Sequence, residues 1–394
     1  MTINRYYKHS GWKRLCLILI FLVIVIFLLI FRLGSLTHGV SASEATTSVR
    51  VIGWHGIYNA PFNLPLKFIR SLDFYLFKHH GQTLTRLPNA IFGFLSIISF
   101  TYLIYLWHGK RTALLAGALF ATSAWVLHVS RFASSDVMYL WGIVSLMLIN
   151  GLIQKRNFGK KSWAFSCLII GLLFTIPGFI WLLLAEAFLQ RSVIWGVIEE
   201  QSLVYKLLGL FLSVLWLPLM IYNLTRPSQI RLWLGLPKHL PGLAKLIKQF
   251  AAVPYHLLVR GPKYPSLWLG RSPLVDVFTL AAALAGIYFY AQHYNSRRSK
   301  TLAGLFVLSW ILVSLGGLVS FSLVVVFLYL FAATGITYLL HSWLNVFPAN
   351  PLARSLGIAL ISLAVTFSCL YNLRSYFVAW PNDPATKATF SRHI

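Results

Sequence analysis

Apolar runs of about 20 residues recur along most of this 394-residue chain, and runs of that length leave few folds open. Such a run is long enough to cross a bilayer, where every backbone N–H and C=O must find its partner within the segment or in a closed barrel. The runs lack the period-two alternation of barrel strands, so they are expected to be helices. The approximate segments are 12–33, 86–107, 112–129, 134–153, 162–176, 178–190, 204–222, 274–292, 302–319, 321–340 and 354–372, about eleven in all. Segments five and six are short and meet at Pro177-Gly178, which fits either a tight helical hairpin or one broken span. With 58% hydrophobic and 11% charged residues, no stretch is polar enough to form a separate soluble domain. The expectation is one all-α integral membrane domain over 1–372, with outer loops at about 34–85 and 223–273 and a short extracytoplasmic tail, 373–394.

Lysine and arginine in the short loops set the expected orientation. Arg5, Lys8, Lys13 and Arg14 precede the first span, and Lys110-Arg111, the Lys155–Lys161 cluster, and Arg297, Arg298 and Lys300 fall on the same side. This predicts a cytoplasmic N-terminus in a plasma-membrane protein, with both long loops outside. The apolar run from Leu15 to Leu33 exceeds the ~7–15 residues of a signal-peptide core, so an uncleaved anchor is expected. The net charge of +26 is spread over many loops without a nucleic-acid motif, so it points to anionic membrane lipids and not to nucleic acid. Cys16, Cys167 and Cys369 are odd in number and widely spaced, a pattern that implies neither a disulfide framework nor a zinc site.

Both long loops contain amphipathic stretches. Between Phe62 and His80, Leu66, Ile69, Leu72 and several aromatics mix with Lys67, Arg70 and Lys78, which predicts a helix in the interface plane with its basic face towards headgroups. Asp73 is expected to pair with Arg70 or Lys78. A second such helix is expected around Leu243–Phe250, bounded by Pro241 and Pro254.

Only 8 residues are acidic, so each can be asked for a reason. Glu199 and Glu200 read as solvated, Asp276 at the head of the eighth span and Asp383 in the tail as helix-capping or solvated, and Glu186 as an intramembrane acid that is neutral, paired or near the cytoplasmic face. Glu44, about eleven residues past the first span, and Asp136, at the head of the fourth, remain. Each also has a structural reading, Glu44 as the cap of a loop helix and Asp136 as a first-turn acid.

Around these two acids the sequence resembles a known family. Thr85-Arg86-Leu87-Pro88-Asn89-Ala90-Ile91-Phe92-Gly93, then Lys110-Arg111 and Ala113–Leu119, then Leu127-His128-Val129-Ser130-Arg131, are similar to the N-terminal half of polyprenol-phosphate-dependent glycosyltransferases. These are GT-C fold membrane enzymes, near the protein mannosyltransferase and lipid A aminoarabinose transferase group, and the resemblance covers about 12–155. It implies a sugar moved from a polyprenyl-phosphate donor to an envelope acceptor on the extracytoplasmic side, with no cofactor. It further implies Glu44 as catalytic base and Asp136 as a second acid shaping the same pocket. Loss of a lipid phosphate calls for cations, and Arg131 is the first candidate, with His55, His79, His80 and Lys263 in the loops. For Arg131, a contact to a headgroup or a helix terminus is the other reading. Ser43 stands where the family often has a second acid, which argues against a metal-binding pair at Glu44. Two other functional classes stay open: a transporter or flippase of a lipid-linked substrate, to which Glu186 and the Pro177-Gly178 break point, and a non-catalytic envelope scaffold.

Overall fold

The computed structural model describes residues 3–37, 39–44, 54–77, 81–154, 159–261, 272–316 and 319–391. These residues are overwhelmingly helical, as satisfaction of the backbone in lipid requires. In chain order the helices are α1 (Ile3–Ile30), α2 (Trp54–Asn59), α3 (Leu64–Phe77), α4 (Gln82–His108), α5 (Lys110–Thr122), α6 (Ala124–Arg131), α7 (Asp136–Ile153), α8 (Lys160–Leu173), α9 (Phe179–Leu189) and α10 (Arg191–Glu200). They continue with α11 (Leu203–Val214), α12 (Leu217–Leu224), α13 (Pro227–Trp233), α14 (Leu243–Leu258), α15 (Val277–Gln292), α16 (Arg297–Ser314), α17 (Ser322–Val346) and α18 (Pro351–Arg374). A π-helical turn, Ser375–Ala379, then leads into the short α19 (Trp380–Asn382) and α20 (Pro384–Thr389).

All eleven expected apolar segments overlap helices, but fewer pass a strict test of length and hydropathy. Among the described residues, five helices are long and apolar enough to cross a membrane, or seven if two bent pairs each count as one span. The bends are 59° between α5 and α6 and 80° between α9 and α10. The first arises where Ser123 leaves the helical path and caps α6 by accepting from the Val126 N–H. Near Pro177 the chain also breaks, and Gly178 takes a left-handed φ of 79° while its N–H donates to the Trp233 carbonyl at 2.7 Å.

Helices α7 and α17 form the centre, each 78% buried along its apolar window, whereas Leu203–Tyr222 is only 11% buried. On α18 the residues Leu352, Leu356, Leu360, Leu363 and Phe367 are all more than half exposed and lie on one face. Such a stripe is far larger than a water-facing surface tolerates and suits acyl chains. The closest helix contact joins α15 to α17. A Cβ added to Gly286 would lie 1.9 Å from the Phe331 carbonyl oxygen, and one added to Gly335 would lie 1.8 Å from that of Ala282. With Ala282 and Gly286 four apart on α15, this is small-residue packing, in which missing side chains let two backbones touch.

The loop helices differ in two ways from the sequence reading. In α3 the exposed residues are Phe68, Leu72, Tyr75, Leu76 and Phe77, while Lys67 and Arg70 turn inward. Lys67 and Arg70 therefore meet protein carbonyls and an amide rather than headgroups, and Lys78 lies outside the described residues. Arg70 pairs with Asn89, not with Asp73, whose carboxyl is pushed up by burial. Helix α14 does not stop at Pro254 but runs on to Leu258. Proline lacks the N–H that would serve the Phe250 carbonyl, and the Trp310 indole N–H donates to that oxygen instead, at 3.3 Å.

Candidate functional site

The resemblance-bearing motif converges on one turn, Phe132–Asp136, between α6 and α7. Asn89 holds its carbonyls: Nδ2 donates to the Phe132 and Ser134 oxygens at 2.6 and 2.8 Å. Gly93, one helical turn further along α4, lies where a Cβ would come within 2.3 Å of the Ser130 side chain, so only glycine lets α4 approach α6 this closely. The "RLPNAIFG" stretch thus works as a cradle for the turn that carries Asp136.

Glu44 reaches the same turn and is fully buried. Its Oε1 accepts from Arg86 Nε at 3.0 Å and from the Ala133 N–H at 3.1 Å. Its Oε2 accepts from Arg86 Nη2 at 3.0 Å and from the Ser41 N–H at 3.1 Å. The Glu44 N–H donates to Ser41 Oγ at 3.2 Å, so Ser41 and Glu44 also form a reciprocal capping box. Arg86, 4% exposed, spends its remaining donors on the Leu33 and Gly39 carbonyls and on Thr37 Oγ1. This two-pronged buried pair ties the first loop to α4 and to the Asp136 turn at once. A carboxylate with both oxygens doubly engaged has little capacity left to take a proton from a substrate.

Asp136 is placed differently. It opens α7; the residue as a whole is half-buried, and its carboxylate interacts with two hydroxyls, Oδ2 accepting from Ser134 Oγ at 2.9 Å and Ser320 being the second partner. Next to it, Arg70 Nη2 donates to Asn89 Oδ1 at 2.9 Å and to the Ser134 carbonyl at 3.4 Å. Burial pulls Arg70 down to about 10, opposed by the nearby Glu44 charge. One turn earlier on α3, burial and the neighbouring Arg70 bring Lys67 down to about 8, and its ammonium donates to the Ala60 carbonyl. Arg70 therefore reaches the turn that carries Asp136 through the Ser134 carbonyl, and Lys67 stands one helical turn from Arg70. Sequence reading missed them because their spacing on an amphipathic helix equally fits a headgroup-facing side. The signal that could have found them is Asn89, a polar residue within an apolar span.

Arg131 is committed elsewhere. Buried to 3% exposure, its Nη1 and Nη2 donate to the Leu28 and Phe31 carbonyls at 2.5 and 2.6 Å, at the C-terminal end of α1, and its guanidinium lies over the Phe377 ring at 4.9 Å. The structure thus gives it the helix-terminus contact, with the cation on the carbonyl end of the helix dipole. Residues 375–390 fold back beneath it, and Tyr376, Trp380 and Phe390 are buried against His128 and Phe132. His55 lies on α2, its side chain outside the described set, and His79, His80 and Lys263 lie outside the described residues altogether. Of the remaining acids, Asp276 caps α15 and also accepts from Ser368 Oγ and Asn372 Nδ2 of α18. Glu186 accepts from Asn150 Nδ2, and Glu199 and Glu200 are exposed.

Apolar helical spans, with the first loop tied to the Phe132–Asp136 turn by the Glu44–Arg86 pair, build an all-helical membrane fold that is shared with solved membrane proteins. ArnT from Cupriavidus metallidurans in the apo state superposes with a TM-score of 0.60 over 98% of this chain and 78% of that one, at 13% identity. The same protein bound to undecaprenyl phosphate gives 0.59 over 97% and 78%, at 12% identity. The archaeal oligosaccharyltransferase AglB from Archaeoglobus fulgidus, in complex with an inhibitory peptide and a dolichol-phosphate, gives 0.55 over 93% of this chain and 56% of its own, at 14% identity. No protein-family model and no curated protein sequence matches the chain. At these identities the likeness is one of fold.

Proposed function

We propose that this protein is a membrane glycosyltransferase that moves a sugar from a polyprenyl-phosphate donor to an acceptor in the cell envelope. One observation supports the reading: within a fold shared with ArnT over nearly the whole chain, the turn that carries the Asp136 carboxylate is met at the Ser134 carbonyl by the inward-turned cation Arg70, with Lys67 one helical turn earlier on α3.

In this reading Asp136 and Glu44 exchange the roles that the family resemblance implies. The acceptor hydroxyl or amine attacks the anomeric carbon, the bond from that carbon to the lipid phosphate breaks, and the acceptor's proton passes to the Asp136 carboxylate. The negative charge of Asp136 also favours an oxocarbenium-like transition state. Arg70 and Lys67 receive the charge that develops on the departing polyprenyl phosphate. Glu44, through Arg86 and Ala133, fixes the turn that aims Asp136, and Arg131 anchors α1. The basic loops put the N-terminus in the cytoplasm and the reaction on the outer side.

The test is transfer from synthetic polyprenyl-phosphate sugars by purified protein. Asp136→Asn is expected to lower kcat by about 10²–10⁴-fold while its thermal unfolding stays near that of the wild type. Arg70→Gln is expected to lower kcat/KM for the donor. Wild-type turnover by Asp136→Asn would sink the assignment.

A further inference from the structure

Helix α14 has three different sides, and one of them meets protein. We propose that α14 lies in the headgroup layer of the bilayer and binds anionic phospholipid there through Lys245 and Lys248. None of its residues belongs to the turn that carries Asp136 or to α3, so this binding is independent of the glycosyl-transfer reading.

The order of the faces is the first observation. Val253 and Leu257 are buried, and the half-buried Leu246 and Gln249 lie on the same side. Leu243, Ile247 and Phe250 are 77%, 62% and 48% exposed and form an apolar stripe beside that face. Lys245 and Lys248 are exposed on the remaining side. At about 3.6 residues per turn the three faces stand roughly a third of a turn apart. A helix that packs on protein in water needs two faces, apolar inward and polar outward. A second apolar stripe, outward and followed by lysines, suits a helix whose open side meets the boundary between acyl chains and headgroups.

The second observation is where the helix sits. The Trp310 indole N–H donates to the Phe250 carbonyl at 3.3 Å, and a Cβ on Gly316 would come within 2.6 Å of the Gln249 side-chain nitrogen. Helix α14 therefore rests on the end of α16 remote from Arg297, Arg298 and Lys300. The Val275 N–H donates to the Leu257 carbonyl at 3.2 Å just before α15 begins, and the His256 ring lies 5.7 Å from that of Phe321, at the head of α17. Since α17 is long and apolar enough to cross the bilayer, its first turn lies near one membrane surface, and α14 lies there with it.

The third observation is charge. Between positions 223 and 273 the chain has eight lysines and arginines and no acid. This loop is predicted outside, where the positive-inside rule asks for no such excess, so its cations need another partner. Among the described residues the one ion pair is Glu44–Arg86, which leaves Lys245 and Lys248 without a protein carboxylate. A phospholipid with a net negative headgroup answers both demands: its phosphate meets the lysines and its acyl chains cover Leu243, Ile247 and Phe250. A soluble acidic partner would leave that stripe in water, and a second copy of this chain, at net charge +26, would bring more cations to the same face.

The experiment uses the full-length protein in two ways. Protein stripped of lipid in detergent is titrated with phosphatidylglycerol, with phosphatidylcholine of the same acyl chains, or with glycerol 3-phosphate, and bound molecules are counted by native mass spectrometry. Phosphatidylglycerol is expected to bind at least tenfold more tightly than phosphatidylcholine, and glycerol 3-phosphate is expected not to compete with it. Lys245→Gln together with Lys248→Gln is expected to weaken phosphatidylglycerol roughly thirtyfold, about fivefold for each lysine, with thermal unfolding unchanged. Separately, chains with the three cysteines replaced by alanine carry a nitroxide at Ile247→Cys or Lys248→Cys in nanodiscs containing phosphatidylglycerol. The label at position 247 is expected to be relaxed by oxygen, which concentrates among acyl chains, and that at position 248 by a water-soluble nickel chelate. Equal uptake of the two phospholipids, or uptake unchanged in the doubly substituted chain, overturns the lipid class. Competition by glycerol 3-phosphate overturns a lipid as the source of the phosphate. Equal access of the nickel chelate to both positions, or a dimer that shields both, overturns the placement.

Discussion

Replacing Glu44 by glutamine separates an anchoring carboxylate from a reacting one. Four donors converge on Glu44: the Ser41 and Ala133 N–H groups at 3.1 Å each, and Arg86 Nε and Nη2 at 3.0 Å each. Glutamine keeps the shape but offers one acceptor oxygen and one NH2 group. Its oxygen can serve two of those donors, and its NH2 must then face the other two donor groups. Arg86, 4% exposed, would also keep its charge without a counterion. Removing one partner of a buried pair costs about 3–5 kcal/mol, and the stranded N–H groups belong to the same network, so their cost is not simply added. The expectation is about 4 kcal/mol of lost stability.

A thiol-reactive dye can read this loss, because Cys167 is 6% exposed in the folded chain and becomes reactive on unfolding. Glu44→Gln and Arg86→Met should each unfold well below the wild type, and Glu44→Leu combined with Arg86→Met should lose clearly less than the sum of the two single losses, since no charge is stranded. Transfer activity in Glu44→Gln should fall in step with the folded fraction. A Glu44→Gln protein with the wild-type unfolding profile and no transfer would refute this reasoning and restore Glu44 as the reacting base.

Other consequences can be checked as directly. Gly286→Ala puts a methyl group 1.9 Å from the Phe331 carbonyl oxygen and must wedge α15 from α17; a loss of about 3 kcal/mol, or failure to recover folded protein, is expected in the same dye assay. Trp310→Phe leaves the Phe250 carbonyl beside Pro254 without its donor and should cost about 1 kcal/mol. Lys67, at about 8 when folded, lies below the ~10.4 of free lysine, so folding disfavours its proton and stability should rise with pH between those values. Over the same window the cation is lost, so kcat/KM for the donor should fall as pH passes about 8, and Lys67→Arg should flatten that fall. An unchanged profile in Lys67→Arg would remove Lys67 from donor binding.

The helices were legible because lipid imposes a condition that acts on each segment separately: twenty apolar residues must satisfy their own backbone, whatever surrounds them. The roles of the charged residues were not, because they depend on which distant group arrives. Glu44 and Arg86 are 42 positions apart, and either one alone reads as a loop acid or a motif basic residue. Lys67 and Arg70 occupy helix positions whose periodicity cannot tell a headgroup-facing side from a protein-facing one; Asn89 decides it by receiving Arg70 at 2.9 Å. The motif was readable as a family likeness before any of its residues had a physical task. Each now has one: Arg86 neutralises Glu44, Asn89 holds the turn, Gly93 admits α6 and Arg131 caps α1. In the proposed reading of this apolar chain with only 8 acids, the motif residues build the scaffold and the chemistry falls to Asp136, whose carboxylate carries no ion pair among the described residues. It follows that mutating the most motif-like positions should read out chiefly as instability, and mutating Asp136 as lost turnover in a folded protein.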